Sequence, residues 1–360
     1  MSLNQALATA VAGLRTTQTG LSVISANVAN AETPGYVKKV AVPVQISAGQ
    51  AGTSVAVSEI QRQLDQYVQR QLRTETSGAS YASLRSDFYQ RIQTVFGTPG
   101  SSTALDTVFN NFTQSLQALS TSPDDPSARA NVIAQAQVLT QQLNSMSTQV
   151  QALRGDAELG LSDSVAKANN AMQQIAAING QLSAYNKADS TTASLLDQRD
   201  AYINQLSQLM DINVVAGDQN QVKIFTTSGI QLVGSSTATL SFDAQGTMTA
   251  TNQWSADPSK RSVGTLMLTG DNGTQIDLVA TGSIRSGQIA AYLQMRDQDL
   301  VQTQTQLDEM AAAMSRALSD KTVAGTAATS GAQSGFDVDL GSLLAGNTVN
   351  LSYVDTATGQ

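Results

Sequence analysis

Leu3, Leu7, Ala10, Leu14, Thr17, Leu21, Ile24 and Val28 recur at alternating spacings of four and three, with Thr17 the one polar member. That spacing is the a/d seam of a helix that packs on another helix. Ser2 with Gln5 three residues later makes a capping-box pattern at its start. The pattern stops at Ala31-Glu32-Thr33-Pro34-Gly35-Tyr36, where Pro34 fixes φ and Gly35 readily takes a positive φ, predicting a type II turn. Val37–Ile46 and Val55–Val57 look extended, and Pro43 argues for an edge strand. The helical period returns from about Ser58 to Phe96, with an interruption expected around Ser77-Gly78.

Leu105, Phe109, Phe112, Leu116 and Leu119 predict a short amphipathic helix. Asp125 as N-cap and Pro126 at the first helical position begin another, expected to end near Arg154. A separate helix is expected over Leu161–Leu182, and a further one over Ser194–Met210.

At Asp211 the period changes to short apolar runs between Gly, Asn and Asp turns: 212–215, 221–226, 229–233, 238–242, 265–268 and 275–279. Gly270-Asp271-Asn272-Gly273 joins the last two as a hairpin. From Gln288 the helical seam resumes through Ile289, Leu293, Leu300, Leu307, Met310, Met314 and Ala317, with Arg296 and Thr303 as polar members. Two strand-like runs close the chain, at 336–340 and 349–353.

The predicted fold is therefore mainly α with an inserted β domain. An N-terminal amphipathic helix and turn occupy residues 1–36. An antiparallel helical-bundle or coiled-coil body covers 37–210 and 285–320, interrupted by a small antiparallel β domain at 211–284. A linker and the start of a further β domain fill 321–360.

Composition narrows the chemistry. The chain has no Cys and no His, which removes thiol nucleophiles, His general bases, His/Cys metal sites and Ser-His-Asp triads. Charged residues make up 13% of it, about half the usual ~25%. The net charge is −8, with no basic stripe, so the cations are not clustered as nucleic-acid binding requires. No apolar run approaches the roughly 18 residues of a membrane helix, and the N-terminus lacks the positive start of a cleaved signal peptide. No catalytic, cofactor-binding or metal-binding residues are predicted. Asp197, Arg199 and Asp200 read as a solvated or intersubunit ion pair, and Asp271-Asn272-Gly273 as a turn and not a calcium loop.

Asn27, Ala29, Asn30, Thr33, Pro34, Gly35 and Tyr36, following an amphipathic helix, resemble the signature shared by the axial proteins of the bacterial flagellum, its rod, hook and hook-associated subunits. Three later stretches are similar to the hook-associated protein 1 family: Asp124–Arg129, Leu195–Asp200 with Ile212–Val215, and Gly287–Tyr292 with Leu307–Ala311. The resemblance implies a structural subunit of the junction between hook and filament. It implies export through the flagellar type III apparatus, without a cleaved signal, to an extracellular position. Partners would be copies of itself through the seam of Leu3, Leu7, Leu14, Leu21, Ile24 and Val28, the hook protein, and hook-associated protein 3 on the filament side. No nucleic-acid or membrane partner is expected. Family members finish with a second amphipathic helix that pairs with the first and lies in the region an export chaperone recognises. That helix is not in this sequence, so the chain is expected to lack its C-terminal region, to hold residues 1–30 poorly ordered or against a copy, and to be monomeric alone. A rod or hook subunit, and an exported adhesin carried on an axial targeting segment, are the alternative readings.

Overall fold

A computed structural model of the chain describes residues 3–33, 35–47, 53–184, 189–319, 323–339, 341 and 349. It divides into two compact units, Met1–Leu307 and Asp308–Gln360.

The first unit opens with helix α1 (Leu3–Ala29) and a hairpin of β1 (Lys39–Ser47) and β2 (Thr53–Arg62). The hairpin is antiparallel, and its register shifts between Val42 and Pro43. Proline cannot donate to the ladder, so it sits at an irregularity. The strand extends to Arg62, so residues 58–62 are not helical as the sequence predicted. Helix α2 (Gln66–Phe96) starts only where Asp65 caps it, accepting from the Tyr67 and Val68 amides. It runs without a break through Ser77-Gly78. One helical glycine costs about 1 kcal/mol, which a helix of 31 residues with Phe88 and Val95 buried absorbs.

Helix α3 (Leu105–Thr121) is followed by α4 (Pro126–Ala184), a single helix of 59 residues. Asp125 accepts from the Ser127 amide at 2.8 Å to start it. The two helices predicted either side of residues 154–161 are thus one. Gly155 and Gly160 lie at the predicted break, inside the continuous helix. A Cβ at Gly160 would lie 2.3 Å from the Tyr292 ring, so this glycine serves close packing rather than a bend. Helix α5 (Ser190–Leu209) follows, capped by Asp189.

The region after α5 forms two antiparallel sheets of three strands. The first is β3 (Ile212–Ala216), β4 (Val222–Thr226) and β5 (Gln231–Val233). The second is β6 (Thr239–Phe242), β7 (Leu266–Thr269) and β8 (Gln275–Asp277). Both share one apolar core with the helices: Leu161, Met172, Ile175, Ile203 and Leu206 meet Ile224, Leu240, Leu266 and Ile289. The chain returns through α6 (Gly287–Gln294), a π-turn at Met295–Asp299, and α7 (Leu300–Ser319). Of the predicted return seam, Ile289, Leu293, Arg296, Leu300 and Leu307 are buried.

In the second unit, β9 (Thr326–Ser330) pairs antiparallel with β10 (Gln333–Asp337). This hairpin begins earlier than the strand predicted at 336–340. Its Leu340, and residues 350–353 of the last predicted strand, lie outside the described residues, as do Ser2 and Pro34.

Candidate functional site

Helix α1 carries two opposed stripes. Ala12, Thr16, Thr19, Val23 and Ala26, continued by Asn30 just past the helix and again spaced by four and three, are half-buried or buried. They face the hairpin, where the Thr16 hydroxyl donates to the Val55 carbonyl at 3.3 Å. The larger side chains point the other way. Leu3, Leu7, Leu14, Leu21, Ile24 and Val28 are 59–86% exposed. The helix therefore has a partner in its own chain, contrary to the expectation for residues 1–30, but reaches it through small residues. Its strongest apolar face stays open. A contiguous apolar stripe of this kind marks an interaction surface.

The turn after α1 ties it to the hairpin. The Tyr36 amide donates to the Thr33 carbonyl at 3.1 Å, and Gly35 has φ 83°, as a type II turn requires. Asn30 donates to the Ala26 carbonyl at 2.9 Å and closes the last turn of the helix. Asn27 is the hub. Its side-chain amide donates to the Lys39 carbonyl at 2.8 Å, and its Oδ1 accepts from the Lys39 amide at 2.9 Å and the Tyr36 hydroxyl at 3.0 Å. Lys39 Nζ lies 4.7 Å from the centre of the Tyr36 ring. Of the predicted signature, Asn27, Asn30, Thr33, Gly35 and Tyr36 are thus brought together, whereas exposed Ala29 makes no such bond.

Lys39 continues into a nearly buried ionic network. Its Nζ pairs with Asp197 at 2.8 Å, as does Arg62 Nε at 2.8 Å. Arg62 also bonds Asp200, which pairs with Arg73 of α2 at 2.9 Å. Arg73 Nε donates to Asn204 Oδ1 at 3.0 Å. Burial pushes the Asp200 carboxyl up, but the hydrogen bond and charge of Arg62, with the charge of Arg73, outweigh it and hold the group below the usual carboxylate range. Arg199, on another face of α5, donates to Asn179 Oδ1 and the Asn220 carbonyl, and burial lowers its guanidinium to about 10. This group is neither solvated nor intersubunit, as the sequence suggested. Asp197 and Asp200 are paired within one chain, because the hairpin brings Lys39 and Arg62 onto α5, whereas Arg199 ends on neutral oxygens.

A second cluster has no counterpart in the sequence reading. Arg154 and Arg296 are wholly buried. Arg296 bonds Glu158 at 2.7 Å, both oxygens of Asp297 at 2.7 and 2.8 Å, and the Gly264 carbonyl at 2.9 Å. Arg154 donates to the carbonyls of Arg296, Thr249 and Asn252. Burial pushes Asp297 above the usual carboxylate range against the pull of Arg296. The cluster fastens loops 243–264 to α4 and the π-turn, the helix irregularity often found at working positions. Every donor ends on a protein acceptor, so it is a structural joint.

Among the described residues no three His, Cys, Asp or Glu are grouped to hold a metal ion, and no helix is long and apolar enough to cross a membrane.

The profile of the family described as flagellar hook-associated protein FlgK helical domain matches residues 89–337, and that of flagella basal body rod protein matches residues 7–36. Flagellar hook-associated protein 1 of Escherichia coli (strain K12) is 28% identical over 324 residues, covering 88% of this chain and 56% of that protein. The protein of the same name from Bacillus subtilis (strain 168) is 27% identical over 297 residues, covering 79% and 54%. The chain thus spans little more than half the length of these relatives. The solved flagellar hook junction protein FlgK from Burkholderia pseudomallei superposes with a TM-score of 0.54 at 27% identity, covering 68% of this chain and 41% of that one.

Proposed function

Since this chain belongs to the family of the flagellar hook-associated protein FlgK helical domain, we propose that it is a structural subunit of the bacterial flagellum at the junction between hook and filament. The observation that carries this reading is the open seam of α1. A helix of 27 residues that keeps its large apolar side chains in solvent is unfavourable in a lone subunit and favourable in an assembly. Self-association through Leu3, Leu7, Leu14, Leu21, Ile24 and Val28 relieves that exposure. The signature residues Asn27, Asn30, Thr33, Gly35 and Tyr36 hold the seam helix on its hairpin, with Ala29 part of the same motif.

The role is mechanical, not enzymatic, and uses no cofactor. The chain is exported without a cleaved signal and works outside the cell. Its partners are copies of itself, the hook protein, hook-associated protein 3 and an export chaperone. The predominance of helix supports this over a rod or hook subunit, whose bodies are expected to be β-rich.

Replacing Leu7, Leu14 and Leu21 together with Glu tests the reading. Each buried leucine is worth about 1.5–3 kcal/mol, so assembly should lose roughly 4–9 kcal/mol per subunit. Exposed positions barely affect the fold, so the variant's thermal unfolding should match the parent's. In cells, the variant should give hooks of normal length, no filaments, and unpolymerised flagellin in the medium. Normal motile filaments would refute the proposal, and absent hooks would reassign the protein to the rod or hook.

A further inference from the structure

We propose that Asp197 and Asp200 of α5 are the positioning residues that set the angle at which α1 and its hairpin stand on the helical body. The inference rests on the assembly reading only in saying why the angle matters. The geometry stands by itself.

The segment from Leu3 to Arg62 has almost no core. Among its described residues Val23 is the one that is buried, and none joins the apolar core shared by α4, α5, α6 and the two sheets. Apolar burial is non-directional, and here there is little of it to hold the segment. The contact with the body runs along α5. There Lys39 comes from the first strand of the hairpin and Arg62 from the last residue of the second, and both meet Asp197 at 2.8 Å. Asp200, one turn on, joins Arg62 to Arg73 of α2. Two carboxylates on one helix thus fasten both strands and a neighbouring helix.

Arg62 and Arg73 donate charged hydrogen bonds to Asp200, which are strong and directional. The close ion pairs of Asp197 add attraction from both strands, so such a clamp fixes an angle that greasy packing leaves free. Its stoichiometry adds force. Three cations, Lys39, Arg62 and Arg73, converge on two carboxylates, all with side chains only 9–13% exposed. Neutralising the acids leaves three crowded cations to repel one another. The same clamp reaches the seam helix through Lys39, whose backbone is held at both ends by Asn27 of α1.

The chain has no cysteine, so a pair of spin labels at Ser22→Cys on exposed α1 and Gln208→Cys on exposed α5 reports the angle in the intact chain. Dipolar spectroscopy on dilute protein should give one narrow distance distribution. Asp197→Asn with Asp200→Asn should at least double its width, with the body still unfolding cooperatively, at a lower midpoint. Asp197→Glu with Asp200→Glu, which keeps the charges, should restore most of the narrowness. If the double Asn variant does not fold, Asp197→Asn alone, which touches only hairpin residues, is read in the same way. A broad parent distribution, an Asn variant as narrow as the parent, or a Glu variant as broad as the Asn one overturns the proposal. Because the measurement uses single chains, it survives or fails independently of whether the seam assembles.

Discussion

Replacing Arg296 with Met probes the buried charge cluster. The methionine fills most of the volume of the arginine stem, so the perturbation is chiefly electrical. Four hydrogen bonds go, to Glu158, both oxygens of Asp297, and the Gly264 carbonyl. Glu158 keeps the Gln245 amide at 2.7 Å, whereas Asp297 loses the guanidinium that compensates its burial. Removing one partner of a buried pair costs about 3–5 kcal/mol, since the other charge is left behind. A unit of Met1–Leu307 unfolds with an entropy near 0.6 kcal/mol/K at ~2.1 cal/mol/K per residue, so the midpoint should fall by about 5–8 °C. Scanning calorimetry at several pH values adds a second readout. Burial already holds Asp297 above its ordinary range, and without Arg296 it rises further. A carboxyl whose folded value is raised binds its proton in the folded state, so stability is present at low pH and lost as pH rises through that value. The deficit should therefore be larger at pH 8 than at pH 5. A loss under about 2 °C at pH 8, or one that does not vary with pH, would refute the reasoning.

Two further predictions concern single positions. Gly287 has φ 84°, and a Cβ there would lie 2.5 Å from the Leu209 carbonyl carbon. Gly287→Ala should thus cost at least about 2 kcal/mol, seen as a lower denaturation midpoint, and an unchanged midpoint would mean the backbone can yield. Asp200 has a depressed carboxyl value, so its contribution is complete above the ordinary aspartate value near 3.9 and is lost as pH falls through the folded one. Parent and Asp200→Asn should therefore converge in stability below about pH 4 in acid-unfolding curves, whereas a constant gap would place the effect outside that titration.

The strands of the two small sheets were readable because each is bounded by its own turn chemistry. Gly270–Gly273 closes one hairpin with the Gly270 amide bonded to the Thr274 carbonyl at 2.9 Å. Gln219 and Asn220 take positive φ at another turn. The continuity of α4 was hidden because its glycines look like local breaks, and only Tyr292, more than a hundred residues away, explains one of them. The ionic network was hidden for the same reason: Arg73 and Asp200 are 127 positions apart, and a single sequence does not reveal which distant charges meet. Arg296 looked like a defect in an apolar seam, since no local signal announces a buried acid opposite it. On α1, the eye follows the leucines. The Ala-Thr-Val stripe that contacts the hairpin repeats at the same spacing but is too weakly apolar to stand out.

The two stripes of α1 also respond to different variables. The hairpin side is an intrachain contact, so its contribution is the same in one molecule or a million. The seam side is governed by mass action and grows with the local abundance of chains. A substitution at Thr16 or Val23 should alter the protein at any dilution. One at Leu14 should be silent in a dilute tube and decisive where copies are delivered one after another to the same place. One helix thus separates a property of the molecule from a property of the population.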